Sequence, residues 1–161
     1  MKKIIISILV VLLTIFPDSA FLLSNYQNLT FLGEDMITDM IVDAIKNNDA
    51  DTIESMLSQH TKENGENLNQ KIKGLIAVID GDITEYREHG GGGDGEYSDN
   101  DVSIKDKSWD IYIKTDSGNE YLVCVSWIIV NTNKPEKVGM RTIYLTDTHY
   151  NVLSRIYIPI D

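Results

Sequence analysis

Hydrophobic and polar positions change their period twice along this chain. Residues 4–16, IIISILVVLLTIF, form an almost unbroken aliphatic run with no amphipathic period. From Glu34 to Lys46 the pattern becomes helical. Met36, Ile37, Met40, Ile41, Ala44 and Ile45 recur as adjacent pairs every four residues and predict one apolar stripe. Glu34 and Asp35 in the first turn and Lys46 in the last suit the helix dipole. Asn47-Asn48 ends this helix, and Asp49 or Asp51 caps a second, short one carrying Ile53, Met56 and Leu57. Residues 62–67 read as a polar break. A third helix follows, with Leu68, Ile72, Leu75, Ile76 and Ile79 on one face and Gly81 as its stop signal.

Beyond Gly81 the period falls to two. Ile83–His89 alternates weakly, as an edge strand does, and the glycine run after His89 cannot hold regular structure cheaply. Residues 97–105 read as a resumed strand. At 109–115, Trp109, Ile111 and Ile113 alternate with Asp110, Tyr112 and Lys114, and Asp116-Ser117-Gly118-Asn119 supplies a hairpin turn. Residues 121–130 are apolar on both phases, which places that strand at the centre of a sheet. A loop at 131–136, a strand at 137–146, a turn at 147–151 and a last strand at 152–158 complete the chain. Three helices followed by four or five meandering antiparallel strands make an α+β domain. The N-terminal helices are expected on the concave face of a curved antiparallel sheet. There is no internal repeat and no sign of a second domain.

The resulting organisation is a targeting segment at 1–24, a linker at 25–33 and a single α+β domain at 34–161. Lys2-Lys3 followed by an apolar run of about 13 residues matches a secretory signal better than a spanning helix, which needs about 20. Asp18 is poor in a cleavage site and Phe21-Leu22-Leu23 prolongs the apolar character, so an uncleaved membrane anchor is the other reading. Both predict an extracytoplasmic protein, secreted or tethered through residues 1–24. The formal charge of −11 excludes nucleic acid as a partner class, because that sign repels phosphate backbones. The single cysteine, Cys124, rules out an internal disulfide and a cysteine metal cluster.

The hairpin Tyr112-Ile113-Lys114-Thr115-Asp116-Ser117-Gly118, then Tyr121, then Asn133-Lys134-Pro135-Glu136-Lys137-Val138-Gly139 form a combination with a family likeness. It resembles a bacterial family of exported, often lipid-anchored proteins known as domain of unknown function 5104. The glycines at 90–93 and the helical stretch 35–58 fit it too, so the resemblance spans residues 34–146. It implies a cystatin-like or NTF2-like fold, with a helix held in the concave face of a curved sheet, and no catalytic residues. One departure is the lipobox: Leu22-Leu23-Ser24 is followed by Asn25, so no cysteine is present for lipid attachment.

Candidate chemistry is sparse. Gly90, Gly92 and Gly95 spell G-x-G-x-x-G, but carboxylates and strand-like sequence follow instead of a helix, so a bulged loop is the better reading. Residues 94–101 are acidic without EF-hand spacing and read as a solvated loop. Cys124, mid-strand among apolar neighbours, reads as a small buried hydrophobe. His60, His89 and His149 lack metal-ligand spacing, and no G-x-S-x-G occurs. No metal and no cofactor are therefore expected. The pocket candidates are Tyr121, Trp127 and Tyr144 as aromatic lining, with Arg141 and His149 as polar groups and Asp147 beside them. The leading expectation is a non-catalytic extracytoplasmic domain that binds a ligand or a protein. The alternatives are an NTF2-like small-pocket enzyme with one acid–base residue, and a passive envelope protein.

Overall fold

The computed structural model describes residues 33–90, 92–99 and 102–156. The expected targeting segment, and the expected linker except Gly33, lie outside the described residues. Residues Glu34–Asp161 form one compact unit. It begins with helices α1 (Glu34–Lys46), α2 (Ala50–Met56), α3 (Gln59–Asn64) and α4 (Leu68–Val78). Strands β1 (Ile83–His89), β2 (Asp94–Asp99), β3 (Val102–Thr115), β4 (Glu120–Asn131), β5 (Gly139–Asp147) and β6 (Val152–Ile156) follow. The helices pack with a curved, unclosed antiparallel sheet of six strands, an α+β fold.

The bounds of α1 are those that its stripe and terminal charges predict. The stripe is rotated, however. Ile37, Ile41, Val42, Ala44 and Ile45 are buried, whereas Met36 is 51% exposed, so the methionines flank the seam instead of filling it. Asp49 caps α2 by accepting the Thr52 N–H at 3.0 Å. Helix α3 runs into the supposed polar break as far as Asn64, a correction: Ser58 accepts the Thr61 N–H at 3.1 Å, and only Thr61 of that helix is buried. A helix this polar carries no apolar period to announce it. It is held from outside, through the Ser58 N–H to the Met140 carbonyl and the close approach of Gly139 (φ +120°) to the Ser58 backbone.

The sheet order is β1-β3-β4-β5-β6, which puts β4 at the centre. Strand β2 also pairs with β3, so β1 and β2 lie end to end along one edge of it. This replaces two sequence expectations. The acidic residues 94–99 form a strand and not a loop, and residues 97–99 and 102–105 belong to two antiparallel strands and not to one. Where β1 gives way to β2, His89 pairs with Asp110 and Asp94 with Lys107, so Ser108 and Trp109 fall between the two pairings. At this break the Ser108 N–H donates to the Gly93 carbonyl at 3.0 Å, and a Cβ on Gly92 would collide with the Ser108 carbonyl oxygen. Four further register shifts, one in each of the pairs β1·β3, β3·β4, β4·β5 and β5·β6, bend the strands.

One face of the sheet meets the helices. It carries Trp109, Ile111 and Ile113 from β3, Val123, Val125 and Trp127 from β4, and Met140, Ile143 and Leu145 from β5, all buried. The Trp109 indole donates to Thr38 of α1 at 3.0 Å, and Tyr86 of β1 reaches Asp39 at 3.0 Å. Helix α4 lies against α2 and β6. The seam is filled with aliphatic and indole side chains.

Candidate functional site

The opposite face is built differently, and strand register decides its composition. His89, Asp110, Cys124, Tyr144 and Arg155 stand opposite one another across β1, β3, β4, β5 and β6. Directly opposed residues project to the same side, so these five form one row across the sheet. A second row holds Arg87, Tyr112, Leu122, Thr146 and Val152, and a third the hydroxyls of Ser108, Ser126 and Thr142. The α1 side chains Glu34, Thr38 and Asp39 make their hydrogen bonds to the other face, with Lys107, Glu88, Trp109 and Tyr86.

Asp110 is the centre. A carboxylate in a strand that contributes Trp109 and Ile111 to the core is itself only 5% exposed. The Tyr150 hydroxyl donates to its Oδ2 at 3.0 Å, and the Cys124 thiol is a second donor beside it. Burial, and then the Asp110 charge, push the Cys124 thiol up to about 12. Burial, and then Cys124, push Tyr144 up to about 12 as well. The hydrogen bond to Asp110 raises Tyr150. Every shift favours the protonated, hydrogen-donating form. The cluster is therefore a set of neutral donors around one carboxylate, without a thiolate nucleophile.

Tyr150 reaches Asp110 from the β5–β6 turn with φ +63°, a left-handed conformation uncommon for a bulky residue. Asp147 holds that turn by accepting the His149 N–H at 2.8 Å, the Asn151 N–H at 2.9 Å and the Asn151 side-chain amide at 2.7 Å. Those donors, the Asn151 side chain first, hold the Asp147 carboxyl below its usual range. Arg141 occupies the register shift between β4 and β5, where its Nη2 donates to Ser126 Oγ at 2.8 Å and its Nε is buried without a partner among the described residues. Arg87 lies over the Tyr112 ring at 4.5 Å.

The five residues expected to line a pocket do not converge. Tyr121 and Trp127 are 7% and 3% exposed on the helix side, where Tyr121 Oη accepts the Asp80 N–H at 3.2 Å. Tyr144 and Arg141 belong to the other face. His149 is exposed in the turn, with its backbone bonded to Asp147. Sequence reasoning passed over Asp110, Tyr150, Arg87 and Arg155. The available signal was Asp110 on the polar phase of β3, in a strand whose other phase is core. Open grooves lie elsewhere: about 550 Å³ among Glu54, Lys62, Asn67, Asn69 and Lys73, about 400 Å³ among Ile45, Lys46, Ile76, Ile79 and Ile83, and about 410 Å³ at the glycine break beside Glu34, His89, Lys107 and Trp109.

The family profile described as Domain of unknown function (DUF5104) matches residues 40–148. The chain belongs to this family. The DUF5104 match covers α2 to β5 and includes His89, Asp110, Cys124 and Tyr144, while Tyr150 and Arg155 lie beyond it. No curated protein matches the chain.

Proposed function

We propose that this is an exported bacterial protein whose DUF5104 domain, cystatin-like or NTF2-like in fold, binds a ligand or protein partner without catalysis. The binding surface in this reading is the sheet face around Asp110, opposite the face that meets the described helices. One observation carries it: the same strands bury their main core on the helix side, Trp127 included, and on the other set a row of polar and titratable side chains beside a small buried cluster of Tyr112, Leu122 and Cys124. Export is supported by Lys2-Lys3 and the aliphatic run after them, which makes the protein secreted or anchored through residues 1–24. The acid–base enzyme reading has less support, because Cys124 is held protonated and the seam that would form its pocket is filled.

The test is a thermal-shift screen of the full chain against cell-wall fragments, peptides, lipids and divalent cations, repeated on Tyr144→Ala. At least one class should raise the melting temperature of the wild type, and the substitution should remove the rise. A screen with no rise in any class would end this reading.

A further inference from the structure

Tyr150 combines two features that seldom coincide. It is 51% exposed in the β5–β6 turn, with φ +63°, yet its hydroxyl donates to Asp110, a carboxylate 5% exposed on another strand. A bulky residue persists in the left-handed region only where its surroundings over-determine it, and such residues gather at switch segments. The rest of the turn is closed on itself. The Asp147 N–H donates to the Asn151 carbonyl at 3.1 Å and the Tyr150 N–H to the Asp147 carbonyl at 3.0 Å, beside the three bonds that the Asp147 carboxylate accepts. Among the described residues, no other side chain of Asp147–Asn151 hydrogen-bonds beyond the turn. The strand after the turn is loosely held where it starts. Val152 and Leu153 are exposed, and the β5–β6 register shifts between Leu145 and Thr146, just before the turn. Firm anchoring comes further on, where buried Ile156 pairs with buried Ile143.

We propose that the β5–β6 turn is a latch over the Asp110–Cys124 pair, with the Tyr150 hydroxyl as its catch. The register shift and the exposed start of β6 are its hinges. His89 on β1 and Cys124 on β4 stand either side of Asp110 in its row. In the closed state the carboxylate takes one hydrogen bond from Tyr150 and a second from the thiol. In the open state it keeps the thiol and meets water in place of the phenol, so opening leaves no acceptor without a donor. A segment with few buried side chains and one side-chain tie opens at lower cost than the core beneath it. Opening admits water and small solutes to a carboxylate and a thiol that are otherwise buried. The latch is a property of the fold and stands apart from the reading of this face as a binding surface. A thermal-shift screen without a hit would leave it standing.

The experiment is thiol labelling of Cys124 in the full chain across a series of low urea concentrations, with amide exchange followed in parallel. Wild type is compared with Tyr150→Phe and with Tyr86→Phe, whose hydroxyl makes an equal 3.0 Å bond to a carboxylate, Asp39, on the other face. Local opening exposes little surface, so labelling of the wild type should be slow and nearly independent of urea until global unfolding takes over. Tyr150→Phe should raise that urea-independent rate about tenfold, as expected for the loss of one hydrogen bond to a charged group. The amides of residues 150 and 151 should exchange faster by a similar factor. Tyr86→Phe should leave the urea-independent rate unchanged, because its bond survives when the latch opens. Labelling that climbs steeply with urea from the start, in step with the core amides of Ile111 and Val123, would mean that Cys124 is reached only by global unfolding and would overturn the latch. An urea-independent rate that Tyr150→Phe does not raise, or that Tyr86→Phe raises equally, would overturn it as well.

Discussion

Cys124 shows how two neighbours set the chemistry of a side chain. It is 2% exposed and faces the Asp110 carboxylate, so its thiol is raised from 9.0 to about 12. In the native protein it should resist a thiol reagent at pH 8 and react at once when urea unfolds the chain; labelling followed by mass spectrometry reads this directly. The same shift has a consequence for stability. Between pH 9 and about 12 the unfolded chain has released the thiol proton while the folded chain keeps it. The contribution is therefore complete below pH 9 and is lost as pH rises through the folded value. Tyr144, raised from 10.0 to about 12, extends the decline. The urea midpoint should fall above pH 9, and Cys124→Ala should flatten the first part of that fall. Legibility at this scale was partial. The alternation in β3 separates Asp110 from Trp109 and Ile111, but nothing local reveals that Tyr150 reaches back across the sheet to it.

Elements here are defined by caps and close approaches as much as by apolar period. Ser58 is 2% exposed and satisfies the first turn of α3, so Ser58→Ala should cost about 1 kcal/mol in chemical denaturation. Gly92 is the stricter case. Its neighbour is the Ser108 backbone, which cannot swing aside as a side chain does. Gly92→Ala should therefore separate β2 from β3 locally at a cost of about 1–3 kcal/mol, visible as faster amide exchange at Ser108. The ends of α1 were legible because charge and stripe agree. Helix α3 and strand β2 were not, because one is polar almost all round and the other is a charged, exposed edge. Their stability comes from what they dock on.

For the whole molecule, the two sheet faces carry different cores, a large one against the helices and a small one around Tyr112, Leu122 and Cys124, and substitutions should divide the same way. Trp127→Ala, in the filled seam, should cost about 3–5 kcal/mol in global unfolding. Tyr144→Phe, on the other face, should leave the unfolding midpoint close to that of the wild type. Equal losses in the two would mean that the two cores carry equal weight. The chain by itself determined the α+β class, the bounds of α1, a cap at Asp49 or Asp51, the two phases of β3 and the central place of β4. These all follow from periods and caps that act within about a dozen residues. Only the tertiary structure decided that Tyr144 and Arg141 part from Tyr121 and Trp127, that β1 and β2 lie end to end, and that Tyr150 reaches Asp110. Side-chain alternation is a property of one strand. Which face a residue shares with a distant strand is set by turns and register shifts, and a shift of one residue reverses it.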